Sequence, residues 1–139
     1  MNVLVDTSVW SLSLRRNPRD LNPAERSIVV ELTELIAEGR ARLMGLVRQE
    51  LLAGVRNPAQ FEMLRTLLRA FPDVDVEIVD YEFAGQASNQ CKSKGVTVSL
   101  VDALICAVAN ARGWTIFTTD QDFEHHASIL PIKLHTTRK

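Results

Sequence analysis

Residues 99–113 read SLVDALICAVANARG, and this stretch decides the fold. From Leu100 to Ala109 every side chain is apolar except that of Asp102. A helix that is apolar nearly all round is buried against neighbours on more than one side. An ionised carboxylate in such a place normally finds a cation or takes up a proton. Asp102 is therefore a candidate site residue, although Ser99 as N-cap would also place it at the N3 position of a capping box.

The composition is that of a soluble globular protein. The chain has 139 residues, of which 46% are hydrophobic and 24% charged, and its formal net charge is −1. This length predicts a single domain over residues 1–139. No apolar run approaches the roughly 20 residues needed to cross a bilayer, so we expect a cytoplasmic protein with no membrane partner. The near-neutral charge provides no overall basic field for nucleic acid.

Short apolar runs alternate with helical patterns along the chain. The runs at 3–5, 41–46, 74–79, 115–118 and 132–134 predict strands, the last at an edge. Helices are expected between them, including one that Asn22, Pro23 and Glu25 begin and Gly39 ends, and the helix that contains Asp102, which Gly113 ends. Such alternation predicts right-handed crossovers and a mainly parallel sheet covered on both faces.

Acidic residues follow two of the predicted strands. Asp6 comes directly after residues 3–5, and Asp120 lies just beyond residues 115–118. In open parallel sheets the site lies outside the carboxyl ends of the strands, so these acids are expected to meet.

Each acid has an alternative explanation. Asp6 and Asp120 could cap helices, Glu50 could be a solvated helix residue, and Asp122 could be a first-turn acid.

Four acids brought together would repel one another. At about 5 Å and an effective dielectric near 20, each pair repels by roughly 3 kcal/mol. The residues that flank these acids are mostly apolar or small and provide no cluster of Lys or Arg. Mg²⁺ and Mn²⁺ prefer carboxylate and water oxygens, so a divalent ion is the expected partner. The corresponding chemistry is metal-assisted phosphodiester hydrolysis.

The same residues carry a resemblance to a known family. Four motifs, VLVDTSVW at 3–10, RQELLAG at 48–54, VDALICAVA at 101–109 and TTDQDF at 118–123, occur in the order and spacing of the PIN-domain family. Within that family the chain resembles the VapC-type ribonuclease toxins of type II toxin–antitoxin systems. The resemblance implies a three-layer α/β/α sandwich with a central, mainly parallel sheet. It also implies a Mg²⁺-dependent endoribonuclease, with Mn²⁺ as the alternative ion, that cleaves single-stranded or loop RNA to 5′-phosphate and 3′-hydroxyl ends.

The resemblance also assigns roles to residues. It implies a catalytic quartet of acids: Asp6, Glu50, Asp102 and Asp120. Of these, Asp6, Asp102 and Asp120 would be metal ligands, and Glu50 would orient or deprotonate the attacking water. Auxiliary positions of the family correspond to Ser8, Thr118 and Asp122. The implied partners are a VapB-type antitoxin, whose C-terminal segment blocks the active-site groove, and a second copy of the chain.

Other interpretations remain open from the residues alone. A receiver or phosphatase domain also places acids at strand ends, but a receiver needs an early acidic pair, and a D-x-D phosphatase needs an acid where this chain has Ser8. A module that binds RNA without cutting it is the non-enzymatic alternative. Arg15, Arg16 and Arg19 could guide an RNA backbone or form a solvated loop. The three histidines, at 125, 126 and 135, lack metal-ligand spacing and are expected at the surface.

Overall fold

The computed structural model describes residues 1–138. Its sheet consists of three parallel strands in the order β2-β1-β3. These strands are β1 (Val3–Val5), β2 (Ala41–Arg42) and β3 (Thr115–Phe117). Val3 pairs with Ala41 on one side and Thr115 on the other, so β1 is the central strand. All three of its side chains are buried, as its unbroken apolar sequence predicts.

Seven α-helices lie within residues 1–138. They are α1 (Thr7–Leu14), α2 (Pro23–Ala37), α3 (Gly45–Leu52), α4 (Pro58–Leu68), α5 (Ile78–Ser93), α6 (Leu100–Arg112) and α7 (Asp122–Ile129). Helix α6 packs against β1, β3 and α5, whereas α2 packs against β2 and α1. The predicted α/β/α sandwich with a parallel sheet is therefore confirmed.

Local sequence signals explain where the best-defined helices begin and end. Helix α2 begins with a complete capping box, in which Asn22 accepts from the Glu25 amide and Glu25 accepts from the Asn22 amide. Helix α6 ends at Gly113, whose φ of +70° suits a residue without a Cβ atom. The bounds predicted for α2 and α6 are thus confirmed.

Three predicted strands differ from the structure. Two are shorter than predicted, and the third is not a strand. The strand predicted at 41–46 ends at Arg42, because Gly45 already begins α3. The stretch 74–79 forms no strand: the chain there makes one parallel bridge between Leu43 and Asp73, and residues 78 and 79 begin α5. Helix α5 begins there because Glu77 and Asp80 form a capping box. The run at 132–134 is reduced to one parallel bridge between Ile116 and Leu134 at the edge of the sheet.

A single buried hydrophobic cluster includes residues from Val3 to Ile132. Val5 and Phe117 belong to it, so the polar residues that follow them leave the core at the same edge of the sheet. No helix in residues 1–138 combines the length and apolar character that crossing a bilayer demands. That residues 1–139 form one domain stays a prediction, and Lys139 lies outside the described residues.

Candidate active site

Asp6 is fixed at the end of the central strand by two hydroxyl groups. It is buried, with 6% of its surface exposed, and it occupies the N-cap position of α1. Its Oδ2 does not cap that helix but accepts hydrogen bonds of 2.8 Å from Ser8 Oγ and Thr118 Oγ1. The two hydroxyl oxygens are 3.2 Å apart. Ser8 lies just beyond β1 and Thr118 just beyond β3, so the two residues predicted as auxiliary hold the Asp6 carboxylate from two different parts of the chain.

Asp102 lies in the first turn of α6, and its carboxylate is only one-fifth exposed. The Ser99 hydroxyl accepts from the Asp102 amide at 3.0 Å, so Ser99 is the N-cap that the sequence predicts. Burial is the main cause that raises the pKa of the Asp102 carboxyl to about 6; the negative charges of Asp6, Asp120 and Glu50 add to it, and a hydrogen bond with Ser99 opposes it. The structure thus brings the other three predicted acids within electrostatic reach of Asp102.

Asp120 follows β3 and combines two roles. Its Oδ1 accepts from the amide of Asp122, the first residue of α7, at 2.9 Å, although Gln121 is the N-cap of that helix. Its own amide donates to Thr118 Oγ1 at 3.0 Å, which ties it to the residues around Asp6. Asp122 lies in the first turn of α7, where the helix dipole favours an acid. Of these two acids, Asp120 raises the pKa of Asp102, whereas Asp122 acts on the neighbouring His126.

Glu50 reaches the site from α3 on the other side of α1. Its Oε1 accepts a hydrogen bond of 2.6 Å from Thr7 Oγ1, which fixes an otherwise exposed side chain. Thr7 directly follows Asp6, so this bond directs Glu50 toward the acids. The sequence contained no spacing signal for the Thr7–Glu50 contact, because the two residues are 43 positions apart.

The surface location predicted for the histidines is wrong for two of them. His126 is 2% exposed and lies in α7 with its Nε2 3.8 Å from Asp102 Oδ2. His135 is largely buried as well and bonds to Glu31 at 2.6 Å, so the surface location predicted for both residues is wrong. The helical spacing of Phe123 and His126, three residues apart, was the available signal that both face the core.

The acids suit a divalent cation by their chemistry. Carboxylate oxygens are the ligands that Mg²⁺ and Mn²⁺ prefer, and the raised pKa of Asp102 reports concentrated negative charge in a partly buried place. A nearby cation would favour the ionised carboxylates. Within residues 1–138, however, no group of three or more His, Cys, Asp or Glu side chains is arranged to hold a metal ion. The acids are thus close to one another but not arranged as a set of metal ligands, and their role as ligands stays a prediction.

The described residues also form two surface depressions. A groove of about 470 Å³ runs between the ends of α1 and α3 and the exposed face of α4, with Arg15 and Arg56 among its lining. An apolar hollow of about 310 Å³ lies between α3, α5 and α6, and Tyr81 and Leu100 contribute to it. Arg16 makes a long contact of 3.9 Å with Glu25, and Arg15 and Arg19 are exposed.

The fold is similar to that of several solved toxin–antitoxin structures. FitAcB from Neisseria gonorrhoeae aligns with a TM-score of 0.75 and 23% identity, covering 97% of each chain. VapBC2 from Rickettsia felis, bound to a DNA fragment from its promoter, aligns with a TM-score of 0.76 and 21% identity over 97% of this chain and 98% of that one. VapBC-1 from nontypeable Haemophilus influenzae aligns over 100% of both chains with a TM-score of 0.73 and 14% identity.

Sequence comparison identifies the family. No curated protein matches the chain. The family model of the PIN domain matches residues 3–129, a span that includes all seven predicted site residues and each element that positions them. The chain belongs to the PIN domain family.

Proposed function

We propose that the protein is a metal-dependent endoribonuclease and the toxin of a toxin–antitoxin pair. Membership of a nuclease family supports hydrolysis of a phosphodiester bond. The observation that carries the proposal is the hydrogen-bonded group at the ends of β1 and β3, where Ser8 and Thr118 donate to Asp6 and the Asp120 amide donates to Thr118. The charges of Asp6, Asp120 and Glu50 also raise the pKa of the partly buried Asp102. A structural role does not account for four acids gathered at the carboxyl end of a parallel sheet, whereas a cation-dependent nuclease site does.

Each acid has a role in this proposal. Asp6, Asp102 and Asp120 would hold Mg²⁺ or Mn²⁺. When bound, the ion supplies an activated water and neutralises charge on the phosphodiester. Glu50, held by Thr7, would orient that water and accept one of its protons. The water oxygen forms a bond to phosphorus and the bond to the 3′ oxygen breaks, which leaves a 5′-phosphate and, after protonation, a 3′-hydroxyl.

The remaining side chains of the site have positioning roles. The hydroxyls of Ser8 and Thr118 keep the Asp6 carboxylate in one orientation, because two short hydrogen bonds reach the same oxygen. Asp122 contributes only its backbone amide, which donates to Oδ1 of Asp120, so its own side chain is dispensable in this proposal. Single-stranded or loop RNA is the proposed substrate, with exposed Arg15 and Arg19 available to the backbone phosphates.

An antitoxin of the VapB type is the proposed protein partner. The similar structures named above are toxin–antitoxin complexes, which supports a partner of this kind. The groove beside α4 is a suitable surface for its C-terminal segment, because it combines apolar side chains with the arginines Arg15 and Arg56. Its lining consists of Leu14, Arg15, Gly54, Val55, Arg56, Gln60, Met63, Leu64 and Leu67.

A homodimer is also proposed, formed through the apolar hollow between α3, α5 and α6. Its lining includes no charged residue, and Tyr81 and Leu100 are exposed there by 58% and 85%. Apolar surface left in water favours association with a partner of the same character. A second copy of the chain provides such a surface by symmetry.

The decisive experiment uses the purified protein without antitoxin. We expect it to cleave unstructured RNA in Mg²⁺ or Mn²⁺, to lose activity in EDTA, and to yield products that a 5′-phosphate-dependent exonuclease degrades. Asp6→Asn and Asp102→Asn should each reduce cleavage at least a hundredfold, while Asp122→Asn, as the matched control, should retain most of it. Cleavage that persists in EDTA or in both substituted proteins would refute the mechanism. Binding of RNA without cleavage in either metal would favour a binding module.

A further inference from the structure

His126 is a buried polar side chain without a hydrogen-bond partner. It is 2% exposed, and neither of its ring nitrogens has a partner within residues 1–138. Buried polar groups in folded proteins are nearly always hydrogen-bonded, because an unpaired donor or acceptor loses its bonds to water and gains nothing in return. The proposed reaction does not use this residue, so its position needs another explanation.

The ring is held firmly, and the carboxylate next to it has more freedom. His126 packs edge to face against Phe123, with ring centroids 5.3 Å apart. Its Nε2 lies 3.8 Å from Oδ2 of Asp102, longer than the roughly 2.7–3.2 Å of a hydrogen bond. The Asp102 side chain is one-fifth exposed, so its carboxylate is less confined than the ring. A small rotation of that carboxylate would therefore complete a bond to Nε2.

The other ring nitrogen, Nδ1, is also buried and unpaired within residues 1–138. A polar cavity of about 230 Å³ borders His126, and its lining consists of Gly95, Val96, Thr97, Asp122, His125 and His126. Of the two nitrogens only Nε2 has a carboxylate oxygen of a described residue within 4 Å, that of Asp102.

We propose that His126 is a positioning residue, whose Nε2–H donates a hydrogen bond to Oδ2 of Asp102 and fixes the orientation of that carboxylate toward Asp6 and Asp120. Groups that hydrogen-bond a metal-binding side chain orient it and influence how tightly the metal binds. The predicted consequence for metal binding rests on the proposed function. The hydrogen bond itself does not, because it joins two side chains of the metal-free chain.

The first test is independent of metal and of RNA. Metal-free protein labelled with ¹⁵N-histidine is examined at neutral pH by long-range ¹H–¹⁵N spectroscopy, and His126→Phe identifies the signal of this ring. We expect the proton on Nε2. A ring with a bare Nε2 and a protonated Nδ1 cannot donate to Asp102, and that result would overturn the proposal whatever the protein binds or cleaves.

The second test measures Mn²⁺ binding to the antitoxin-free protein by electron paramagnetic resonance of the unbound ion. His126→Phe keeps a ring against Phe123 but removes the donor, and should weaken Mn²⁺ binding about tenfold or more. His126→Gln returns an N–H and should restore most of the affinity. Urea unfolding of the metal-free variants is the control, and we expect His126→Phe to be at least as stable as the parent.

The outcomes separate the two proposals. Undiminished Mn²⁺ binding by folded His126→Phe would overturn the positioning role. Weakened binding that His126→Gln does not restore would overturn it as well, because any large replacement would then be disruptive. If the parent protein binds no Mn²⁺ and cleaves no RNA while the Nε2 proton is observed, the proposed function fails and the hydrogen bond stands.

Discussion

At the scale of single residues, the acids of the site differ in how well the folded chain stabilises their negative charge. Asp6 is buried with two hydroxyl donors on one oxygen, so its carboxylate is well supported in the folded chain. Asp102 has less support: the Ser99 cap serves its amide, and its carboxyl group faces other acids. Charge repulsion of this kind is typical of functional sites, where a bound cation or substrate offsets it.

The raised pKa of Asp102 predicts how the metal-free protein responds to pH. Because the folded-state pKa of about 6 lies above the ordinary value of 3.8, ionisation of Asp102 favours the unfolded state. This destabilisation is absent below about pH 3.8, grows as the pH rises, and is complete above pH 6. At pH 8 it amounts to about 3 kcal/mol. Asp102→Asn should therefore raise the free energy of unfolding by up to about 3 kcal/mol at pH 8.

Urea unfolding in EDTA measures this effect. At pH 5 the difference between Asp102→Asn and the parent should fall to about half its value at pH 8, because the carboxyl group is then largely protonated in the folded protein. Asp122→Asn, an exposed acid of the same edge, should show little change at either pH. A difference for Asp102→Asn that is the same at both pH values would contradict the electrostatic explanation.

At the scale of elements, the sequence was most informative where a local signal determines a boundary. The capping box of Asn22 and Glu25 predicted α2, and Gly113 predicted the end of α6. The apolar run at 3–5 predicted the central strand, and that placed Asp6 at its carboxyl end. These features depend on residues within a few positions of one another, so no tertiary knowledge was needed.

The errors have more than one cause. Residues 74–79 have the alternating and apolar pattern of a strand, yet Ile78 and Val79 are exposed on the first turn of α5, because the Glu77–Asp80 capping box, itself a local signal, starts a helix there. The surface prediction for His126 overlooks its spacing from Phe123, whereas His135 has no periodic signal of its own. The carboxylates beside the two rings, those of Asp102 and Glu31, are distant in sequence and become visible only in the fold.

The C-terminal segment gives a prediction at the scale of elements. Glu31 of α2 is buried and accepts from His135 and Arg138, so it attaches residues 135–138 to the helix. Burial would raise the pKa of Glu31, but these bonds outweigh it and the pKa is lowered. Glu31→Gln should therefore lower the free energy of unfolding by about 1–3 kcal/mol at pH 7. Glu34→Gln, an exposed acid on the same helix that also contacts Arg138, should cost less than about 1 kcal/mol.

The sign of the pH dependence is opposite to that of Asp102. A lowered pKa stabilises the folded state above the ordinary value of 4.5, and this stabilisation is lost as the pH falls below it. The deficit of Glu31→Gln should thus narrow when urea unfolding is repeated near pH 3.5. An equal deficit at pH 7 and pH 3.5 would indicate that packing, and not the charged contacts, provides the stability.

At the scale of the whole molecule, separate surfaces are available for separate partners. Asp6 and Asp120 lie at the carboxyl end of the sheet, the arginine-containing groove lies between the C-terminal ends of α1 and α3 and a face of α4, and the uncharged hollow lies between α3, α5 and α6. Asp102 and Leu100 are two residues apart on α6, so the active site and the hollow share one helical turn. Dimerisation through the hollow would therefore position two active sites relative to each other.

The homodimer can be tested at Tyr81, which is 58% exposed and lines the hollow without contributing to the acids. Tyr81→Arg places a charge in the proposed interface, where desolvation of an unpaired guanidinium is costly. We expect sedimentation velocity to show a dimer for the parent protein and a monomer, or at least a hundredfold weaker dimer, for Tyr81→Arg.

Val30→Arg is the matched control, because Val30 is equally exposed on α2, away from the hollow. A parent protein that is monomeric at all concentrations, or a Tyr81→Arg protein that dimerises like the parent, would exclude this surface as the interface.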